Sequence, residues 1–274
     1  MSDSKKGLAI VTGASSGIGA EIARQLSARG HPILAVARRA ERLEQMAADA
    51  IKTPRAPVHA LALDVTAPGA ALALRDRARA LGGASILVNN AGVFRLGAVA
   101  DSDPAQQAAL VRLNCEAVVA ICAAVVPDLV ARGAGVVLNV ASLAGMQPTP
   151  FYAAYGASKA FVVSYSEALR EELRGTGVSV TALCPGPVTT ELVEAAGIAE
   201  SERQPPSYEL SAEEVARAGI EGAQRGDAIV IPGLWNKAQA IGSRLAPRAL
   251  VRRVSRATAL SYLGFAKAKA PKRD

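Results

Sequence analysis

The sequence predicts a doubly wound α/β fold, in which helices cover both faces of a seven-stranded parallel sheet. The 274 residues suit one large domain of this kind, and half of them are hydrophobic although only 4% are aromatic. Seven short apolar runs are continuous rather than alternating, which is typical of strands that are buried on both faces. Amphipathic helical patterns separate the runs, and this alternation predicts parallel strands with right-handed crossovers.

The apolar runs have the length of strands, and the segments between them have the periodicity of helices. The predicted strands are 8–12, 32–37, 58–63, 85–89, 135–140, 178–183 and 228–232, and the predicted helices are 17–29, 40–50, 68–81, 104–131, 153–174 and 212–224. No repeat or linker divides this body, so we predict one domain over residues 1–234. A long segment at 188–211 breaks the alternation, and we interpret it as a lid.

The positive charge is concentrated in a basic extension over residues 235–274, which we predict to be helical. The net charge of the chain is +7, yet residues 1–236 carry 21 bases and 23 acids. A nearly neutral body argues against a protein that mainly binds nucleic acid. Three interpretations of the extension stay open: it packs over the substrate cleft or a neighbouring subunit, it lies on an anionic membrane surface, or it contacts nucleic acid. Pro247 should prevent a single long helix there.

The three cysteines, Cys115, Cys122 and Cys184, have neither a paired spacing nor a nearby histidine. We therefore predict buried thiols, with no metal site and no disulfide. The N-terminal residues do not resemble a signal peptide, and no uninterrupted apolar stretch of about 18 residues predicts a membrane span. A cytoplasmic location is the resulting expectation.

A glycine-rich turn joins the first predicted strand to the first predicted helix, in the stretch TGASSGIG. Gly13, Gly17 and Gly19 would let the backbone turn sharply and approach a pyrophosphate closely. The helix N-terminus then offers free N–H groups and the positive end of its dipole. This context predicts a phosphate cradle for a dinucleotide.

The end of the second strand indicates which dinucleotide is preferred. NAD-binding folds usually place an acidic residue there, but this chain has Arg38 and Arg39. Because guanidinium groups suit a phosphate, we predict NADP(H) rather than NAD(H). The alternative is that the two arginines merely begin a solvated helix, which fits Arg39 better than Arg38. The turn itself has Ser15 and Ser16 but no basic residue, so the preference would depend on Arg38 and hydroxyl groups.

A possible catalytic pair lies on the predicted helix 153–174. Tyr155 and Lys159 are four residues apart, which places them on one helix face. An ammonium near a phenol favours the phenolate, so we expect Lys159 to lower the pKa of Tyr155 and suit it to acid–base chemistry. Ser142 follows the fifth strand, where its hydroxyl could polarise a carbonyl.

Together these motifs resemble the short-chain dehydrogenase/reductase family, in its simple single-domain form with a Rossmann-type fold. The match covers about residues 5–232 and follows the family's order along the chain. The matching positions are Thr12, Gly13, Gly17, Gly19, Asp64, Val65, Asn89, Asn90, Ala91, Gly92, Asn114, Ser142, Tyr155, Lys159 and the stretch PGPVTT at 185–190.

The resemblance implies a role for each matched position. Tyr155 would exchange a proton with the substrate oxygen, Lys159 would lower the pKa of Tyr155 and bind the nicotinamide ribose, and Ser142 would hold the carbonyl. Asn114 would hold a water that links Lys159 to solvent. The implied cofactor contacts are Thr12, Gly13, Ser15, Ser16, Gly17, Ile18, Gly19, Arg38, Arg39, Asp64, Val65, Asn90, Ala91, Gly92, Tyr155, Lys159, Pro185, Gly186, Val188 and Thr190.

The leading hypothesis is an NADP(H)-dependent oxidoreductase that transfers a hydride between the nicotinamide and a ketone or secondary alcohol. The alternatives are a non-catalytic protein that senses the cofactor and an enzyme held at a membrane by its basic tail. The candidate substrate pocket consists of Phe94, Leu143, Ala144, Gln147, Tyr152 and Val193. These residues include no Lys or Arg, so we expect a small uncharged substrate. By analogy with the family, we expect a homodimer or homotetramer and no nucleic-acid partner.

Overall fold

The computed structural model describes residues 6–188 and 208–262 of the chain. Its seven strands form one parallel sheet in the order β3-β2-β1-β4-β5-β6-β7, which confirms the predicted fold class. The strands are β1 (Leu8–Thr12), β2 (Ile33–Ala37), β3 (Val58–Ala62), β4 (Ala84–Asn89), β5 (Gly135–Val140), β6 (Val178–Leu183) and β7 (Ile229–Val230). The predicted strand at 228–232 is thus shorter than expected.

Helices surround the sheet and confirm the predicted alternation. They are α1 (Gly17–Ala28), α2 (Ala40–Ile51), α3 (Ala70–Ala80), α4 (Pro104–Val111), α5 (Ala117–Arg132), α6 (Ala153–Glu172), α7 (Ala212–Arg225), α8 (Leu234–Leu245) and α9 (Arg248–Tyr262). The predicted helix at 104–131 is not uniform, because a π-helical turn at Arg112–Glu116 separates α4 from α5. The chain also breaks at Pro247, between α8 and α9, as its missing N–H and ring sterics predict.

Two apolar layers hold the helices against the sheet, because successive strand residues point to opposite faces. One layer joins Ile10 of β1 to Leu74, Ile121 and Leu169 of α3, α5 and α6. The other layer joins the opposite face of β1 to α1, α2 and α7 through Ile22, Leu26, Leu43, Val215 and Ile220. This arrangement leaves the carboxyl ends of the strands open at one edge.

The segment Pro104–Arg132 has the length and mean hydropathy of a membrane span, and it is the single such segment among the described residues. Half of its most apolar window is buried inside the protein. Leu110, Ile121 and Leu129 have 2% or less of their surface exposed. The segment is therefore accounted for as core helices packed on the sheet.

Most of the predicted lid at 188–211, with Thr190 and Val193, lies outside the described residues. The two ends of that segment are described and meet each other. Val188 forms an isolated parallel bridge with Leu210, whose backbone N–H donates to the Pro187 carbonyl at 3.2 Å. The chain therefore leaves and re-enters the described fold at one place, beside the carboxyl end of β6.

Candidate active site

A cavity of about 790 Å³ lies at the carboxyl ends of the strands. It opens where β1 has β2 on one side and β4 on the other, so the sheet order reverses there, which is the usual ligand position in doubly wound sheets. Predicted site residues that line it are Gly13, Ser15, Ser16, Gly17, Ile18, Arg38, Arg39, Asp64, Val65, Asn90, Ala91, Gly92, Phe94, Ser142, Leu143, Ala144, Gln147, Tyr152, Tyr155, Lys159, Pro185, Gly186 and Val188. The predicted residues Thr12, Gly19 and Asn114 do not line the cavity but lie behind it.

The glycine turn requires glycine at particular positions. Gly13 and Gly17 have φ angles of +67° and +54°, a region that side chains disfavour. A Cβ on Gly19 would lie 2.2 Å from the Asn90 amide nitrogen and 2.4 Å from the Gly13 carbonyl oxygen. α1 begins at Gly17, so its free N–H groups face the cavity at the closest point of the turn.

Thr12 and Asn90 hold this turn against the end of β4. The Thr12 hydroxyl accepts hydrogen bonds from the backbone N–H groups of Asn90 and Ala91 at 3.0 and 3.1 Å. The Asn90 side-chain amide donates to the carbonyls of Thr12 and Gly13 at 3.0 and 3.2 Å. The Asn90 amide N–H groups thus brace the phosphate turn, a structural role that its predicted cofactor contact did not include.

The two arginines after β2 reach the same end of the cavity by different routes. The Arg39 guanidinium donates to the hydroxyls of Ser15 and Ser16, with Nη2–Oγ distances of 2.9 and 2.7 Å. The alternative in which Arg39 only begins a solvated helix therefore misses this contact. Arg38 lines the cavity and lies near Asp64, whose carboxyl pKa is lowered first by hydrogen bonds from Thr66 and then by the Arg38 charge.

The catalytic candidates Ser142 and Tyr155 meet where β5 ends and α6 begins. The Ser142 hydroxyl caps a short 3-10 helix by accepting from the Ala144 N–H at 3.1 Å. Burial raises the pKa of the Tyr155 phenol, and a hydrogen bond with Ser142 offsets part of that rise. The predicted lowering of this pKa by Lys159 is wrong here, because burial has the larger effect.

Lys159 is buried beneath Tyr155, with 6% of its surface exposed. Its ammonium donates to the Val140 carbonyl at 2.8 Å and lies 5.8 Å from the centre of the Tyr155 ring. Burial lowers the pKa of Lys159 to about 8, while the thiols of Cys115 and Cys184 oppose that change. These two cysteines and Cys122 are buried free thiols, as predicted.

Asn114 lies in the π-helical turn, a feature that often marks functional positions in helices. Its side chain accepts from the Val93 N–H at 2.9 Å and donates to the Val93 carbonyl and the Ser158 hydroxyl, both at 3.0 Å. These bonds join the β4–α4 connection to α6 just beside Lys159. The predicted water contact of Asn114 stays a prediction, because its side-chain atoms make these protein contacts.

Several cavity residues were missed by sequence reasoning. Arg95 follows Phe94 in the predicted pocket, and its presence corrects the expectation of a pocket without a cation. The others come from helices that the chain order does not connect to the motifs: Gln106, Gln239, Ser255 and Thr258. An amphipathic pattern in the extension was the one available signal, and it did not indicate which residues face the cavity.

The extension packs beside the substrate part of the cavity. α8 contacts the short helix Leu143–Met146. In α9, the Arg256 guanidinium lies 5.9 Å from the centre of the Phe151 ring. This geometry concerns the first of the three interpretations of the extension, and the membrane and nucleic-acid interpretations stay predictions.

Comparison with known proteins agrees with the motifs. The family model for short chain dehydrogenases matches residues 7–201, which is more than half of the chain. The chain belongs to the short-chain dehydrogenase/reductase family. An uncharacterised oxidoreductase of Staphylococcus epidermidis is 34% identical over 224 residues, covering 80% of this chain and 92% of that protein. Sulfoacetaldehyde reductase 2 of Chromohalobacter salexigens is 37% identical over 187 residues, covering 67% and 73% of the two chains.

Solved structures of the short-chain dehydrogenase/reductase family are similar over nearly the whole chain. A short-chain dehydrogenase from Sphingobium yanoikuyae in complex with NADPH has a TM-score of 0.77 and 30% identity, with 98% of both chains covered. A bulky-bulky ketone specific alcohol dehydrogenase from Comamonas testosteroni has a TM-score of 0.74 and 26% identity, covering 99% of this chain and 98% of the other.

The described residues of this short-chain dehydrogenase/reductase fit a nicotinamide dinucleotide. Added Cβ atoms at Gly13 and Gly19 would enter space that the turn keeps for close backbone packing, so the cradle depends on glycine. The exposed N-terminus of α1 suits the pyrophosphate. The chain is an oxidoreductase of this family that uses a nicotinamide cofactor, and the described residues include no cluster of His, Cys, Asp or Glu that could hold a metal ion.

Proposed function

We propose that the protein is an NADP(H)-dependent carbonyl reductase or alcohol dehydrogenase that acts on ketones and secondary alcohols. The observation that carries this proposal is the meeting of Ser142, Tyr155 and Lys159 on one wall of a cavity whose other end is a phosphate cradle. When bound, the nicotinamide supplies the hydride. The protein's own contribution is to orient the substrate oxygen and to manage one proton.

Tyr155 is the proton donor during ketone reduction in this proposal. Because burial raises its pKa, the phenol holds its proton near neutral pH and can give it to a substrate oxygen. The Ser142 hydroxyl, which contacts the same phenol, can donate a second hydrogen bond to that oxygen. Lys159 carries its charge below its pKa of about 8, and this ammonium stabilises the phenolate that remains.

The preference for NADP(H) is supported by the charges at the end of β2. Arg38 and Arg39 supply guanidinium groups there, and Arg39 is held against Ser15 and Ser16 of the turn. This contact brings a cation to the turn, although the turn itself contains no basic residue. A 2′-phosphate would gain charge-assisted hydrogen bonds from this cluster that a 2′-hydroxyl would not.

A bulky ketone is the substrate class that the cavity favours. Phe94 contacts Tyr152 and Tyr155 edge to face, with ring centroids 5.6 and 4.9 Å apart, so the reacting end has an aromatic wall. The similarity to an alcohol dehydrogenase described as specific for bulky-bulky ketones supports the same class. Arg95 adds one cation to the lining.

The deciding experiment measures oxidation of NADPH and NADH with a panel of ketones, from small aryl ketones to steroids. We expect turnover of bulky ketones, with a higher kcat/KM for NADPH. Arg38→Ala and Arg39→Ala should each weaken NADPH binding about 10-fold or more and leave NADH binding nearly unchanged. Arg225→Ala, which changes an exposed arginine paired with Asp227, is the matched control.

Two outcomes would contradict the proposal. Equal losses for NADPH and NADH in Arg38→Ala and Arg39→Ala would place the phosphate contact elsewhere. Cofactor binding without turnover of any ketone or alcohol in the panel would favour the alternative of a protein that senses the cofactor.

A further inference from the structure

The last described helix, α9, closes one side of the cavity with a single face. Val251, Ser255 and Ala259 are buried, with 5%, 5% and 2% of their surfaces exposed. Residues four apart lie on one face of a helix, so these three positions pack together against the body. Thr258, one turn beyond Ser255, lines the cavity beside it. This face therefore supplies hydroxyl groups to the cavity wall.

The position of α9 shows which part of the cavity it serves. Its Arg256 lies over the Phe151 ring, and the next residue, Tyr152, lines the cavity close to Phe94. Phe151 is held in a left-handed conformation with φ +72°, and its carbonyl accepts from the Gly97 N–H at 2.7 Å. α9 is thus attached to a fixed point beside the reacting end, on the substrate side rather than beside the glycine turn.

The Ser255 hydroxyl has no hydrogen-bond partner among residues 6–188 and 208–262. Other helical serines in this chain satisfy their hydroxyls locally: Ser166 donates to the Val162 carbonyl at 2.6 Å, and Ser243 donates to the Ala240 carbonyl at 2.9 Å. A buried hydroxyl without a partner costs about 1–3 kcal/mol, whereas alanine at that position would cost nothing of this kind. A hydroxyl that is buried, unpartnered and placed on a cavity wall has the properties of a ligand contact.

We propose that Ser255 forms a polar subsite that hydrogen-bonds a neutral oxygen of the substrate, a hydroxyl or keto group remote from the reacting carbonyl. The proposal rests on the proposed function, because it assumes that a carbonyl substrate occupies the cavity. Thr258 and Gln239 line the cavity with Ser255, and all three side chains are neutral, able both to donate and to accept. A hydroxyl or keto oxygen matches such groups, whereas a carboxylate would call for a cation.

The test compares ketones that differ only in the distal oxygen. Aryl alkyl ketones of increasing chain length are paired with the same ketones bearing a terminal hydroxyl, and kcat/KM with NADPH is measured for each pair. The parent enzyme should prefer the hydroxylated member at one range of chain lengths. Ser255→Ala should reduce this preference about 5- to 10-fold and leave kcat/KM for the plain ketones nearly unchanged.

Ser243→Ala is the matched control, because it removes a hydroxyl from the same extension that is satisfied by Ala240 and does not line the cavity. It should leave the preference unchanged. If Ser255→Ala keeps the full preference, or lowers kcat/KM equally for both members of each pair, the subsite is refuted while the proposed function stands. If the parent reduces none of the ketones, the proposed function itself fails.

Discussion

The two ends of the cavity are built in different ways. At the cofactor end the contacts are mostly backbone and short side chains, fixed by Gly13, Gly19, Thr12 and Asn90 in one hydrogen-bonded turn. At the substrate end the wall consists of longer side chains from α4, α8 and α9, such as Gln106 and Gln239. The catalytic wall lies between them, so one cavity joins a rigid cradle to an adaptable pocket.

This difference predicts where substitutions are tolerated. A backbone cradle has no spare volume, so a single added methyl group changes its shape. A wall of side chains from separate helices can change one residue at a time and alter which substrate fits. The predicted effects below therefore decrease from the catalytic wall and the cradle towards the extension.

Tyr155→Phe should have the largest effect, lowering kcat for ketone reduction about 10³-fold through loss of the proton donor. The ring contact with Phe94 can persist, so NADPH binding should stay close to that of the parent. Steady-state kinetics and fluorescence titration with NADPH measure the two quantities. Tyr165→Phe, on the same helix, is the control and should retain kcat; retained turnover in Tyr155→Phe would contradict the role of the phenol.

Lys159→Met should change how stability depends on pH. Burial lowers the pKa of Lys159 to about 8, so between about pH 8 and its unfolded value the unfolded chain binds more protons than the folded one. Stability of the parent should therefore rise with pH in that window, relative to Lys159→Met, by roughly 2 kcal/mol between about pH 7 and pH 10. Urea unfolding at both pH values measures it. Lys52→Met, at an exposed lysine, should show no such change, and the same null result for Lys159→Met would refute the buried charge.

Gly19→Ala should weaken NADPH binding by roughly 10- to 100-fold, because the new Cβ would collide with the Asn90 amide and the Gly13 carbonyl. Titration with NADPH measures the loss. Gly242→Ala is the control, since a Cβ there meets nothing within 4 Å in α8, and it should leave binding unchanged. Unaltered binding in Gly19→Ala would mean that the cradle is adaptable after all.

Arg256→Ala should have the smallest effect, lowering the free energy of unfolding by about 0.5–1 kcal/mol through loss of its contact with the Phe151 ring. Urea unfolding of this variant and of Arg252→Ala, whose arginine has no such ring contact among the described residues, gives the comparison. Identical stabilities would show that this contact does not fasten the extension to the body.

The sequence was sufficient for the fold and the cradle because both depend on local patterns. Continuous apolar runs predict the buried strands, and Gly13, Gly17 and Gly19 lie close together in the chain with their turn. The same holds for Tyr155 and Lys159 on one helix. What these patterns could not give is the balance of burial against charge, which is why the direction of the Tyr155 pKa was wrong.

The substrate end was harder to predict because its residues come from distant segments. Gln106 and Ser255 are about 150 residues apart, and no local pattern links them. The π-helical turn around Asn114 was also missed, because one extra residue in a helical turn leaves almost no trace in apolar periodicity. The contact of Arg39 with Ser15 and Ser16 depends on how α2 begins, which the sequence left open.

The most direct test follows a hydride across the junction of the two ends. The protein is incubated with NADPH that carries deuterium on the transferable position of the nicotinamide and with a bulky aryl ketone, and the alcohol is analysed by mass spectrometry. We predict one deuterium on the carbinol carbon of the product, and no labelled alcohol from Tyr155→Phe. Bound NADPH with no labelled alcohol from the parent protein would contradict a reductase.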